Sequence, residues 1–131
     1  MSPVVVDNSV VLYVLLEGSR DDVLRRRLSE PRTLHAPHLI DYEFGNALRG
    51  LRLGGRISDR LTQQVRADFA DLRIERHPGA TTADRAWQLR KNYTCYDAAY
   101  IALAEMLDCP LLTGDAKLHG PHRAQVEVVG Q

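Results

Sequence analysis

The alternation of short and long apolar segments constrains the fold of this chain more than any other feature. Short apolar runs typical of buried strands are separated by longer segments whose apolar residues recur at helical spacing. We predict strands at residues 4–6, 33–36, 73–76, 110–113 and 126–129. Strands separated by helices predict an α/β fold with a mostly parallel central sheet covered on both faces, a three-layer α/β/α sandwich.

The predicted helices are bounded by capping and breaking residues. A first helix runs from about Ser9 until Gly18, and a second follows the capping residue Asp21 and ends before Pro31. The remaining predicted helices cover residues 39–53, 58–72, 82–89 and 94–107. The last of these is apolar nearly all round, so we expect it at the centre of the fold.

Length and residue types limit the classes of protein. A chain of 131 residues is most simply one domain, residues 1–131, with one core. Cys95 and Cys109 lack the spacing of a zinc site, so we expect reduced core thiols in a cytoplasmic protein. No apolar run approaches the ~20 residues that span a bilayer, and no signal sequence begins the chain. We therefore expect no membrane contact.

The charge balance argues against a general nucleic-acid binder. The 17 basic and 17 acidic residues give a net charge of zero, so affinity for RNA of any sequence should be weak. Arginines nevertheless gather at residues 25–27 and at Arg49, Arg52, Arg56 and Arg60. Guanidinium groups suit phosphates and surface carboxylates equally, so phosphate contacts and local ion pairs both stay open.

Four acidic residues are predicted to converge at one end of the sheet. Asp7 and Asp115 follow predicted strands, and the carboxyl ends of strands are where open α/β sheets place their sites. Glu43 and Asp97 lie on predicted helices, on or beside the apolar stripe, where an unpaired carboxylate is unfavourable. We interpret these four residues as one acidic cluster with a compensating cation.

Each acid also has a simpler structural explanation. Asp7 and Asp115 each precede a helical turn and would serve as N-caps, and Asp97 is the last residue of a Thr-x-x-Asp capping box. Glu43 lies inside its predicted helix, where capping does not explain it but a buried ion pair with an arginine would. The shared site remains the better interpretation, because four independent accidents would have to point acids to the same end of the sheet.

A cluster of carboxylates has a specific chemical use. Such groups raise one another's proton affinity unless a cation neutralises them. Ligands that are all oxygen favour Mg²⁺, with Mn²⁺ as a substitute, and Mg²⁺ also binds water and substrate phosphate. One or two such ions activate a water and stabilise the leaving oxygen in phosphodiester hydrolysis. The cluster therefore predicts a metal-dependent nuclease that needs no histidine base and no serine nucleophile.

The motifs around these acids, taken in order, carry a family resemblance. They are Val-Val-Asp7-Asn8-Ser9, Tyr42-Glu43-x-x-Asn46-Ala47-Leu48, Tyr96-Asp97-Ala98-Ala99-Tyr100-Ile101-Ala102-Leu103-Ala104 and Leu112-Thr113-Gly114-Asp115-x-x-Leu118. With these motifs the chain resembles, over nearly its whole length, the PIN-domain family and specifically the VapC toxins of bacterial toxin–antitoxin pairs. The resemblance implies a Mg²⁺-dependent endoribonuclease with a PIN-like sandwich.

The resemblance also implies roles for individual residues. Asp7 and Asp97 look like the principal metal ligands, with Glu43 and Asp115 completing the cluster directly or through water. Two hydroxyl residues match positions that commonly support such a site, although simple capping explains them equally well; these are Ser9 and Thr113. At position 8 the chain has asparagine, where a smaller residue is frequent in the family.

Partners follow from the same resemblance. It implies a VapB-like antitoxin, a structured RNA substrate such as tRNA, rRNA or mRNA, and a homodimer or a toxin–antitoxin hetero-oligomer. An antitoxin arginine that enters the acidic pocket would displace the metal. An amphipathic antitoxin helix would find a groove along the second and fourth predicted helices.

The histidines and aromatic residues are assigned no catalytic role. Four histidines lie beside Ala-Pro and Gly-Pro pairs, which are turn-like, so we predict them at the surface; these are His35, His38, His119 and His122. Trp87 and the five tyrosines are interpreted as core or interface anchors rather than base-stacking platforms.

Two other functions stay open on the residues alone. In a phosphotransfer domain Asp7 would accept a phosphoryl group, but such a domain needs a cation near the end of a later strand, and Lys117 is the sole lysine nearby in the sequence. In a non-catalytic interaction module the acids would serve only as caps and ion-pair partners. Retention of RNA cleavage after Asp97→Asn would favour the module.

Overall fold

The central sheet is parallel, as predicted. The computed structural model describes residues 2–17 and 32–129. The strands in these residues are β1 (Ser2–Val6), β2 (Arg32–Pro37), β3 (Ile74–His77), β4 (Leu111–Thr113) and β5 (Val126–Val128). They form one sheet in the order β3-β2-β1-β4-β5, with each neighbouring pair parallel. The order places β1 at the centre, between β2 and β4.

Helices cover the sheet on both faces. They are α1 (Asn8–Glu17), α2 (Ile40–Leu53), α3 (Asp59–Asp71), α4 (Ala83–Gln88) and α5 (Cys95–Leu107). Helix α5 packs against α4 and contacts β1, β2 and β4, whereas α1 packs against α2 and α3. The predicted three-layer α/β/α arrangement, which is PIN-like, is therefore confirmed.

The core follows the apolar patterns of the sequence. All three valines of the first apolar run, residues 4–6, are fully buried in β1. Helix α5 buries a nearly continuous segment, residues 100–104, which confirms its predicted central position. Met106 near its C-terminal end is 47% exposed.

Predicted caps and breakers end the helices at the expected places. The Ser58 hydroxyl accepts a hydrogen bond of 3.1 Å from the backbone N–H of Leu61, at the start of α3. Helix α2 ends at Gly54, and Gly55 adopts a left-handed backbone with φ of 71°, a conformation that glycine reaches without strain.

Two predictions about burial are wrong. His35 was expected at the surface, but β2 lies between β1 and β3, and His35 is buried there. Cys95 was expected in the core, but it is the first residue of α5 and is exposed, whereas Cys109 is buried as predicted.

Some predictions concern other parts of the chain. The predicted helix that begins at Asp21 and the arginines at 25–27 lie outside the described residues. Within the described residues, no helix has the length and apolar character needed to cross a membrane.

Candidate active site

The acids that follow β1 and β4 lie side by side at the carboxyl edge of the sheet. β1 and β4 are adjacent, and the backbone N–H of Asp7 donates to the carbonyl of Leu112 at 3.0 Å. The backbone carbonyl of Asp7 accepts from the N–H of Val10 at 3.1 Å. Asp7 therefore caps α1 through its main chain, which leaves its carboxylate for other contacts.

Two hydroxyls hold one oxygen of Asp7. Ser9 Oγ and Thr113 Oγ1 donate to Asp7 Oδ2 at 3.1 Å and 2.7 Å. Ser9 Oγ in turn accepts from the N–H of Gly114 at 2.9 Å. Thr113 is fully buried and Ser9 lies in the first turn of α1. The network fixes the Asp7 carboxylate, and both hydroxyl residues named from the sequence belong to it.

Asp115 is tied to the same network and also caps a turn. Its backbone N–H donates to Thr113 Oγ1 at 3.0 Å, and its Oδ1 accepts from the N–H of Lys117 at 2.9 Å. The second contact begins the short 3₁₀ turn Ala116–Leu118. The capping interpretation of Asp115 is thus correct, and it orients the carboxylate at the edge where Asp7 ends β1.

Glu43 is held by a tyrosine. The Tyr100 hydroxyl donates to Glu43 Oε1 at 2.6 Å, and Tyr100 also hydrogen-bonds the backbone of Asn8. The rival interpretation, a buried ion pair with an arginine, finds no support in the contacts of Glu43 with the described residues. Glu43 lies in the first turn of α2 and not deep inside the helix. In the first turn the helix dipole favours a negative charge.

Asp97 lies in the first turn of α5. The N-cap residue Thr94 accepts a hydrogen bond of 3.1 Å from the Asp97 N–H through its Oγ1. The half of the capping box in which the threonine side chain binds the backbone is therefore present. Asp97 and Tyr100 are three residues apart, which places them on the same face of the helix.

The four acids interact electrostatically as a group. Burial raises the pKa of Glu43 above its usual 4.5, the charges of Asp7 and Asp97 raise it further, and the Tyr100 hydrogen bond opposes the rise. Burial likewise raises the pKa of Asp97, followed by the charges of Asp7 and Asp115, with partial relief from Lys117. The structure thus brings the four predicted residues together.

The acids converge without forming a tight chelate. Within residues 2–17 and 32–129, no three of the four acids bring carboxylate oxygens within 4.8 Å of one another. The described residues do contain one such group of three ligand atoms, formed by His35, Glu75 and His77. A wide acidic cluster suits Mg²⁺, which binds through one or two carboxylates and retains several waters.

Two features of this site were not predicted from the sequence. Tyr100 was expected as an anchor, and it is buried, but its hydrogen bond to Glu43 was not predicted. The sequence does not predict this contact because Tyr100 and Glu43 are 57 residues apart. The only local signal is the three-residue spacing between Asp97 and Tyr100. Asn8 Oδ1 is a buried acceptor that has no hydrogen-bond partner within the described part of the chain.

Aromatic residues beside the acids are exposed rather than buried. Tyr42 and Tyr96, which precede Glu43 and Asp97, are 82% and 68% exposed. Trp87 is 61% exposed, with the Arg90 guanidinium 4.4 Å from its ring centroid. These three side chains are therefore not core anchors, and their interpretation as interface anchors stays a prediction.

The chain is similar to known proteins in both sequence and structure. Residues 4–121 match the family model of the PIN domain. Ribonuclease VapC1 of Mycobacterium tuberculosis is 39% identical over 119 residues, which cover 90% of each chain. A crystal structure of a Pyrobaculum aerophilum protein has a TM-score of 0.70 at 21% identity and covers 97% of this chain and 84% of its own. A crystal structure of VapBC2 from Rickettsia felis, bound to a promoter DNA fragment, has a TM-score of 0.67 at 12% identity and covers 96% of this chain and 98% of its own.

Proposed function

The chain belongs to the PIN-domain family and to its VapC ribonucleases, and from this premise we propose that its four acids form the catalytic centre of a Mg²⁺-dependent endoribonuclease toxin. Its reaction is the hydrolysis of phosphodiester bonds in RNA. Residues 1–131 would form a single PIN domain. The observation that carries the proposed site is the hydrogen-bond network at the carboxyl edge of the sheet, in which Thr113 Oγ1 contacts both Asp7 and Asp115. The charge of Asp7 also acts on Glu43 and Asp97, which places these two acids nearby.

The residues present fit a hard divalent cation. The cluster offers only oxygen ligands. Burial is the main cause of the raised pKa values of Glu43 and Asp97, and the charges of neighbouring acids add to it, an effect that a bound cation would oppose. The unpaired Oδ1 of Asn8 is an acceptor suited to a metal-bound water. Asp7 and Asp97 would hold the ion, and Glu43 and Asp115 would bind its waters. A bound Mg²⁺ supplies an activated water and stabilises the leaving oxygen, and Mn²⁺ would substitute.

The surrounding side chains keep this cluster in position. Ser9 and Thr113 hold Asp7 Oδ2, which orients the other carboxylate oxygen. Tyr100 holds Glu43 and favours its ionised form, since the hydroxyl donates to the carboxylate. Both effects favour cation binding at neutral pH. A phosphotransfer role for Asp7 gains no support from the family.

Substrate contacts would come from the exposed aromatic rings. Tyr42 and Tyr96 each lie next to an acid of the cluster and are mostly exposed, so they would stack on unpaired bases near the scissile phosphate. The net charge of zero supports weak binding of generic RNA and selection of a structured target, such as a loop in tRNA, rRNA or mRNA.

The proposed partner is an antitoxin of the VapB type. The similar Rickettsia felis structure is that of VapBC2 bound to promoter DNA. An arginine from the antitoxin would compensate the carboxylates in place of the metal. Exposed Leu53 and Leu61, at the end of α2 and the start of α3, would add an apolar contact for this partner or for a second copy. Replacing every arginine in the inhibitory segment of the antitoxin should abolish neutralisation. Persistence of inhibition would refute this arrangement.

The central test is a cleavage assay on total RNA. Purified protein is incubated with Mg²⁺ or Mn²⁺, and new 5′ ends are mapped by sequencing. We expect cuts at one or a few sites that disappear with EDTA and in Asp7→Asn. Asp84→Asn is the matched control, because Asp84 is an exposed acid on α4. Equal site-specific cleavage by wild type and Asp7→Asn, in preparations for which a mock purification shows no nuclease activity, would reject the proposed centre.

A further inference from the structure

Three side chains outside the acidic cluster meet across β2 and β3. His35 Nδ1 lies 2.9 Å from His77 Nε2 and 3.6 Å from Glu75 Oε2. His35 pairs with Glu75 in the strand register, and His77 is two residues further along β3. The alternation of side chains along a strand therefore places Glu75 and His77 on the same face of the sheet.

The distances match those of a transition-metal site. Zinc binds imidazole nitrogen and carboxylate oxygen at about 2.0–2.2 Å, so neighbouring donors in a tetrahedral site lie roughly 3.3 Å apart. The two separations measured from His35 Nδ1 fall on either side of that value. A metal would require the two imidazole nitrogens to move apart by only a few tenths of an ångström.

A further contact orients the buried ligand. His35 Nε2 lies 2.8 Å from Thr33 Oγ1, and a proton donated from Nε2 to that oxygen leaves Nδ1 as the lone-pair nitrogen. Histidines that bind metals almost always donate their second N–H in this manner.

The site is open on one side and separate from the acids. The Glu75 side chain is 66% exposed and His77 is half-buried, whereas His35 is buried. The ligands come from β2 and the edge strand β3, whereas the acids follow β1 and β4 or lie on α2 and α5.

We propose that His35, Glu75 and His77 form a second metal site that binds Zn²⁺ or a similar first-row transition-metal ion. Two imidazoles and one carboxylate form a donor set that zinc prefers and Mg²⁺ does not. Three protein ligands leave a fourth position for water or an external ligand. A metal held there links the edge strand β3 to β2 and so stabilises that side of the sheet.

The test is metal titration of the full chain in the presence of excess Mg²⁺, which occupies oxygen-rich sites but competes poorly for imidazole. Zn²⁺ binding is measured by calorimetry and Co²⁺ binding by its absorption spectrum. We expect one equivalent of either ion and a higher Tm with Zn²⁺. His77→Gln and Glu75→Gln should each weaken binding at least about tenfold and remove the rise in Tm. Both positions lie toward solvent, so these variants should fold.

His38→Gln is the matched control, because His38 is an exposed histidine three residues from His35. It should bind Zn²⁺ as the wild type does. Thr33→Val keeps all three ligands but removes the partner of His35 Nε2, so we expect a weaker loss of affinity. Absence of Zn²⁺ binding in the wild type, or equal affinity in the wild type and His77→Gln, would overturn the proposal.

Discussion

Replacing Tyr100 with phenylalanine isolates the hydrogen bond that supports Glu43. The substitution removes a single oxygen from a buried ring that is 1% exposed, so it leaves the volume of the core almost unchanged. Glu43 loses the donor at 2.6 Å while its burial and the neighbouring charges of Asp7 and Asp97 remain. All the remaining influences raise the pKa of Glu43, so the variant should titrate at higher pH than the wild type.

The magnitude follows from the charge of the acceptor. A hydrogen bond to a charged group contributes about 1.5–3 kcal/mol, and the lower end applies because Glu43 is only half-buried. About 1.5 kcal/mol corresponds to roughly one unit of pKa. The acidic limb of RNA cleavage should move upward by about that amount, because the cluster binds its cation through ionised carboxylates.

Two measurements check this shift. One is the carbon-13 NMR titration of the Glu43 carboxyl group in metal-free protein, and the other is the initial rate of cleavage as a function of pH at fixed Mg²⁺. Tyr93→Phe is the control, since Tyr93 is also a buried tyrosine but its ring packs against His122. It should leave both curves unchanged.

An unmoved Glu43 titration in Tyr100→Phe would refute the reasoning. It would mean that the 2.6 Å contact does not favour the ionised carboxylate. If the Glu43 titration shifts but the pH profile of cleavage does not, then the ionisation of Glu43 does not limit cleavage.

Four further outcomes are expected. Mg²⁺ should raise the Tm of the wild type, and Asp97→Asn should abolish this rise. Because the folded pKa of Asp97 is raised, the stability of the metal-free wild type falls as pH rises from about 3.8 through that pKa. Denaturant unfolding at pH 7 without metal should therefore show the variant about 0.5–1 kcal/mol more stable. Tyr42→Ala should raise KM for RNA severalfold in steady-state assays while Tyr42→Phe does not. The hydrogen bond from Arg85 lowers the pKa of Glu105, so the contribution of Glu105 to the free energy of unfolding is present above about pH 4.5 and is lost as pH falls through the lowered pKa. Denaturant titrations should show that Glu105→Gln is about 1–2 kcal/mol less stable than the wild type at pH 7 and little different at pH 2. Gly120→Ala would bring a Cβ into steric overlap with the Tyr93 hydroxyl, and thermal unfolding should show a loss of about 1–3 kcal/mol.

Hydrophobic periodicity determined the architecture. The run at residues 4–6 and the apolar stripe of residues 94–107 act within single elements, so the strand and the central helix could be identified locally. The placement of Asp7 and Asp115 also followed, because both come after strands and parallel strands end at one edge. The fold and the convergence of the acids could therefore be predicted from the sequence.

The tertiary structure alone decided the partners of side chains. The hydroxyl of Tyr100 meets Glu43, 57 residues away, because α2 and α5 both begin at the same edge of the sheet. His35 was assigned to the surface because the nearby Ala36-Pro37 pair is turn-like, although it lies within the predicted strand 33–36. Pairing of β2 with both β1 and β3 places it inside the sheet. Periodicity is a property of one segment, but strand register and the distance between two side chains depend on how separate segments pack. For that reason the sequence could locate the acids but could not show what holds them or what meets His35.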